Sequence, residues 1–191
     1  MSISTAREHV RGFTLVELMV AALLGGLVLT GVLALNLQLM RNGVRVTQYA
    51  EMSSQVRRGI EQLEGDLKSA SAITWHGASD ITLTIPTPDG STRQVTYAWT
   101  SATQAFFMVP GASSATSTGR VFLVKEIPVR SDGSAGVAFA RYDRDGNVAT
   151  TDVATKGVQV SLNLVRSAGT GPRATDTAVS AIFILRNKPV S

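Results

Sequence analysis

Three textures of hydrophobic and polar residues follow one another along the chain. From Phe13 to Met40, 20 of 28 residues are apolar, and no charge interrupts Leu18 to Met40. A stretch of about 20 such residues is enough to cross a bilayer as a helix. From Tyr49 the apolar positions thin to Tyr49, Met52, Val56, Ile60, Leu63, Leu67 and Ala70, in steps of three or four. That spacing predicts an amphipathic helix with one stripe needing cover. Its opposite face carries Glu51, Arg57, Arg58, Glu61, Glu64 and Lys68, with Arg57–Glu61 and Glu64–Lys68 placed as i, i+4 pairs. Beyond Ser71 the period drops to two: Ile81–Ile85 and Gln94–Trp99 alternate around a Pro-Asp-Gly turn and predict a hairpin.

Further strands are predicted at Ala105–Val109, Val121–Ile127, Val137–Tyr142, Val158–Val165 and Val179–Leu185. The Ser-, Thr-, Ala- and Gly-rich segments Gly111–Gly119, Ser131–Gly136 and Ser167–Ala178 read as surface loops. No breaker stronger than Gly43, Gly59 or Gly65 separates Phe13 from Ala70. One helix over those 58 residues would be about 87 Å long. The pattern therefore predicts an α+β chain, a long N-terminal helix packed on an antiparallel sheet. Its segments are 1–12, an apolar helix 13–40, an amphipathic continuation 41–71 and a β head 72–191.

Composition narrows the chemistry. The 191 residues contain no cysteine and two histidines, with 18 Lys+Arg against 14 Asp+Glu. Disulfides, thiolate zinc sites, iron–sulfur clusters and cysteine nucleophiles are excluded together. His76 sits at the expected helix-to-sheet junction, a structural position, and no P-loop or Rossmann glycine pattern occurs. The mean hydropathy of +0.15 comes from the one apolar segment. That segment is too long for the 7–15-residue core of a removable signal peptide. Within it, Ala22, Gly26, Thr30 and Ala34 place small residues on one helical face, where helices can approach closely. Glu17 is the anomaly, a carboxylate in an apolar run, where a charge at bilayer depth costs about 2.5–3.5 kcal/mol. It needs either a place near the headgroups or a cation.

The residues Gly12-Phe13-Thr14-Leu15-Val16-Glu17, after a short basic leader with Arg7 and Arg11 and before a long apolar run, resemble the N-terminal signature of type IV prepilins and pseudopilins. The resemblance implies cleavage by a prepilin peptidase between Gly12 and Phe13 and methylation of the new Phe13 amine. It implies that Glu17 neutralises such an amine, that of a neighbouring subunit, inside a filament. Residues 1–12 would then be a leader, and His9 would leave with it. The partners implied are other pilin or pseudopilin subunits, the peptidase, an inner-membrane assembly platform and, before assembly, membrane lipid, with the head in the periplasm. At lower specificity, the helix, Asp80-Ile-Thr-Leu-Thr84, Val95-Thr-Tyr-Ala-Trp99 and Leu185-Arg186-Asn187 resemble PilW-type minor pilins and the J-type pseudopilins of type II secretion. The lack of cysteine favours a minor subunit, because major pilins commonly carry a C-terminal disulfide loop.

The remaining polar clusters point elsewhere with less force. Asp143, Asp145 and Asn147 resemble the start of a calcium loop, but the sixth and twelfth positions are Val148 and Ala154 rather than Gly and Glu. An Asp-Gly-Asn turn explains the same residues. Arg120, Lys125 and Arg130 could contribute to a DNA-binding patch, yet they are dispersed among Glu126 and Asp132 with no aromatic stacking set. A plain membrane-anchored binding domain is the other alternative. No catalytic group and no cofactor are expected.

Overall fold

The computed structural model describes residues 14–130, 132–166 and 174–189, with side chains 41–49, 165–166 and 174–178 left aside. The chain divides into two compact units, Met1–Ala50 and Glu51–Ser191. One helix, α1, is assigned over Leu15–Ser69 and contributes to both.

In the first unit, Leu15–Met40 is long and apolar enough to cross a membrane. Its large side chains are exposed throughout, among them Leu23, Leu27 and Leu39. Such all-round apolarity needs a non-aqueous environment or neighbouring helices. Gly25, Gly26 and Gly31 have open space where a Cβ would stand, so no intrachain contact requires glycine there.

Among the described residues, the second unit holds the last turns of α1 and eight strands. A five-stranded antiparallel sheet runs in the order β1 (Ala72–Gly77), β2 (Asp80–Pro86), β3 (Thr92–Thr100), β4 (Ala105–Pro110), β5 (Val121–Val124). A three-stranded antiparallel sheet follows as β6 (Val137–Tyr142), β7 (Gly157–Arg166), β8 (Ala174–Ile184). The class is α+β as the periodicity predicts, but the single sheet expected from the sequence is two. Both sheets bury their inner faces in one core with the stripe of α1: Val56, Leu63, Leu67 and Ala70 join Ile81, Leu83, Tyr97 and Phe106 from the first sheet and Val158, Val160 and Leu162 from the second. Met52 and Ile60 pack at its margin. Tyr49, the first residue of the predicted stripe, lies outside the described side chains.

Strand limits differ from the sequence reading in informative ways. β1 was not predicted; only Ile73 of its six residues is fully buried, and its register is broken between Trp75 and Gly77. β5 stops at Val124 rather than Ile127, because Glu126 adopts a positive φ of 61° that an extended strand excludes. β8 begins at Ala174, inside a segment read as a loop. Gly59, interior to α1, faces β5: a Cβ there would lie 3.2 Å from Leu123 Cβ, so the missing side chain lets the edge strand close on the helix.

One polar cluster sits within the helix–sheet contact. Asp66 is only 5% exposed, with Arg93 Nη2 donating to Oδ1 at 2.7 Å and Tyr97 OH donating to Oδ2 at 2.6 Å. Burial pushes the Tyr97 phenol far above its ordinary pKa, and the Asp66 carboxylate beside it adds to the shift. Removing one partner of a buried charged network leaves the others desolvated without compensation. Asp66→Ala is expected to destabilise the protein by about 2–3 kcal/mol in urea unfolding followed by tryptophan fluorescence. Arg57→Ala, at the exposed Arg57–Glu61 pair of 2.8 Å, is expected to change stability by less than about 0.5 kcal/mol.

The β2–β3 hairpin closes as the Pro-Asp-Gly pattern predicts. Gly90 takes φ 83°, and Asp89 Oδ1 accepts from Thr87 Oγ1 at 2.5 Å, from Ser91 Oγ at 2.7 Å and from Ser91 N–H at 3.0 Å. These donors hold its carboxyl down at about 2. A depressed carboxyl stabilises the fold above its unfolded pKa, and that contribution disappears as pH falls through the folded value. The melting-temperature advantage of wild type over Asp89→Asn is therefore expected to be constant above about pH 5 and to shrink on acidification towards pH 2.

Candidate functional site

At the start of α1, Thr14 and Glu17 hold each other. Thr14 precedes the first helical residue, and its hydroxyl oxygen accepts from the Glu17 N–H at 3.3 Å. In return the Glu17 Oε2 accepts from the Thr14 N–H at 3.0 Å and from its hydroxyl at 2.9 Å. This is a capping box, Thr-x-x-Glu, in which two otherwise unpaired helix-terminal donors are satisfied reciprocally. The carboxylate also lies in the first turn, where the helix dipole favours negative charge. All three bonds leave Glu17 Oε1 without a hydrogen bond among the described residues. The sequence reading singled out Glu17 for a cation and missed Thr14, although the spacing that signals the cap was present.

The expected cleavage residues Gly12 and Phe13 lie outside the described residues. Ala22, Gly26, Thr30 and Ala34 all fall on α1 and are exposed. Thr30 directs its hydroxyl to the Gly26 carbonyl at 2.7 Å, satisfying within the helix a polar group that would otherwise face the apolar surroundings.

The other candidates from the sequence resolve into local structure. Asp143 Oδ1 accepts from the N–H groups of Asp145 and Asn147, each at 2.9 Å, and Gly146 takes φ 85°. The bridge Tyr142↔Val148 closes the turn. One carboxylate oxygen proposed for calcium is thus already bonded to the backbone. Among the described residues no group of three His, Cys, Asp or Glu side chains is gathered as a metal site would need. Arg120 stacks 4.3 Å over Phe107 and donates from Nη2 to the carbonyls of Ser114 and Thr116, anchoring the loop before β5. Arg130 pairs with Asp132 at 3.5 Å, and Lys125 lies 5.9 Å from the Phe122 ring. Each of the three cations has its own neighbour. His76 Nε2 meets Thr82 Oγ1 at 2.9 Å, a structural contact between β1 and β2. A second pairing unseen from sequence joins Asp152 to Arg141 at 2.7 Å and to the Trp75 N–H at 3.3 Å, with Arg141 5.2 Å from the Trp75 ring.

Residues 8–33 match the family model described as the prokaryotic N-terminal methylation motif. The match spans the Thr14–Glu17 cap and three of the four small residues, Ala22, Gly26 and Thr30, stopping one residue short of Ala34. No curated protein matches the chain.

If the Asp143 turn is purely structural, calcium added to the full chain in detergent is expected to leave the melting temperature unchanged. Asp143→Ala should cost the stability of two lost backbone bonds, about 1–2 kcal/mol, and lower the melting temperature equally with or without calcium.

Proposed function

We propose that the chain is a minor pilin, a structural subunit that is processed at its N-terminus and assembled into a type IV pilus, near the tip or at initiation. The observation that carries this reading is the methylation motif at residues 8–33 coinciding with the Thr14–Glu17 cap at the head of an apolar helix. Residues 1–12 are the leader, 13–40 the membrane and filament-core helix, 41–71 its amphipathic continuation and 72–191 the head. The prepilin peptidase cuts between Gly12 and Phe13, and the Phe13 amine is methylated. Ala22, Gly26, Thr30 and Ala34 form the face on which neighbouring helices pack. The chain is not an enzyme, and its partners are other subunits, the peptidase and the inner-membrane assembly platform. The head is periplasmic before assembly. A J-type pseudopilin of a type II secretion system would use the same N-terminal chemistry.

The physical role of Glu17 follows from its two oxygens. Thr14 fixes Oε2, which sets the side-chain rotamer and leaves Oε1 to meet the amine of a neighbouring subunit. An uncompensated carboxylate in an apolar layer is costly, and an uncompensated ammonium equally so; pairing them offsets both. The same pairing favours one axial register between subunits, because a shift strands two charges.

Mass spectrometry of chain purified from a membrane with prepilin peptidase is expected to find Phe13 as a methylated N-terminus. An intact residue 1 in that membrane would sink the reading. Glu17→Gln separates the two duties of the side chain, because glutamine still accepts from Thr14 but carries no charge. The expected result is normal cleavage with filament incorporation reduced by at least about tenfold, scored by immunoblot of sheared filaments. Thr14→Val, which loses the cap and keeps the charge, should retain more incorporation than Glu17→Gln.

A further inference from the structure

The three-stranded sheet has two edges of different character. On β6 two outward backbone groups are occupied: Phe139 N–H donates to the Ala78 carbonyl at 2.5 Å, and the Arg141 carbonyl accepts from Ala149 N–H at 3.0 Å. On β8 the outward groups can be identified from the ladder. Leu185 N–H donates to the Lys156 carbonyl, and Asn163 N–H to the Gly136 carbonyl. With the register Val158↔Phe183 and Val160↔Ala181, the antiparallel alternation turns the backbone of Ser180, Ile182 and Ile184 away from β7. Among the described residues these three rungs make no backbone bond outside the sheet.

Natural sheets guard such edges with charge, proline, bulges or brevity. β5 is only four residues long, and both β1 and β5 carry register breaks. β8 has none of these devices from Thr177 to Leu185, which contain no charge, proline or glycine. Its side chains Ile182 and Ile184 are 64% and 66% exposed, while Val179, Ala181 and Phe183 pack inward. The two isoleucines stand beside an open hollow of about 740 Å³ whose floor dips at Gly157, between Tyr142 and Ile184. Arg144 and Arg186 line the same hollow, and among the described residues neither forms an ion pair. Lys156 adds a third cation, its ammonium directed to the Lys188 carbonyl. The one carboxylate there, Asp143, has an oxygen committed to its own turn.

We propose that the edge of β8 is a strand-addition site for an extended segment of another protein, one with alternating β-branched residues and acidic side chains at the end beside Arg144 and Arg186. Backbone rungs at Ser180, Ile182 and Ile184 supply the pairing, the exposed isoleucines cover the apolar side chains of the incoming strand, and the cations select its acidic end. An antiparallel strand, continuing the sheet, brings its N-terminal end to Arg186. The inference does not depend on processing at Phe13.

The test uses the full chain in detergent and two labelled probes, Asp-Asp-Thr-Val-Thr-Val-Thr-Val and the same peptide beginning Lys-Lys. Fluorescence anisotropy at low salt is expected to show binding of the acidic probe and about tenfold weaker binding of the basic one. Hydrogen exchange should slow at Ser180, Ile182 and Ile184 when the acidic probe is present. Ile182→Pro removes an outward N–H that makes no ladder bond, so it should abolish binding while tryptophan emission and circular dichroism stay unchanged. Should that variant misfold, the surface double variant Arg144→Glu with Arg186→Glu is expected to reverse the preference between probes. Equal binding of both probes, binding without protection of the three amides, or no binding at all would overturn the proposal. So would a concentration-dependent dimer that Ile182→Lys dissolves, because a second copy would then occupy the edge.

Discussion

The apolar stripe of α1 from Val56 to Ala70 is the constraint on which the second unit is built. A helix with one apolar face cannot be stable in water until that face is covered. Here it is covered from two sheets, so Leu63 and Leu67 touch a core to which both contribute. Neither sheet closes a core alone: three strands with one apolar face need a partner layer as much as the helix does. Val158, Val160 and Leu162 of β7 and Ile81 and Leu83 of β2 therefore belong to one cooperative structure, although they are far apart in sequence.

Within that contact, Asp66 adds direction to an otherwise non-directional attraction. Apolar burial would tolerate small rotations of the helix on the sheet. The carboxylate of Asp66 must meet both Arg93 and Tyr97 on β3, and this is satisfied over a narrow range of helix positions. Gly59 acts sterically in the same sense, admitting Leu123 where any side chain would push β5 away. Hydrophobic area holds the helix down, and these two residues set where it lies.

The first unit obeys a different rule. Its Leu15–Met40 stretch is long and apolar enough to cross a membrane, and in a bilayer each polar atom it carries must be satisfied within the chain or by a partner. Thr30 bonds back to Gly26, and Thr14 and Glu17 satisfy each other at the helix start. The Glu17 charge is what this local bonding does not neutralise, and in an apolar layer it calls for a place near the headgroups or a cation. The edge of β8 presents the matching situation in the second unit, with unsatisfied backbone and exposed apolar side chains on a strand lacking the usual guards.

The sequence by itself determined the apolar helix, the stripe on its continuation and most strands, because these depend on local periodicity: steps of three and four from Tyr49 to Ala70, steps of two from Ile81 to Ile85. It also contained the Thr14–Glu17 spacing, a signal that acts over one helical turn and was legible without any tertiary contact. β1 escaped because a short strand with only one buried residue has little alternation to show. The division into two sheets, the pairing of Asp66 with residues 27 and 31 positions away and the commitment of Arg120 to Phe107 were decided only by the tertiary structure. Each depends on which strands become neighbours, and long-range pairing leaves no periodic mark on the chain.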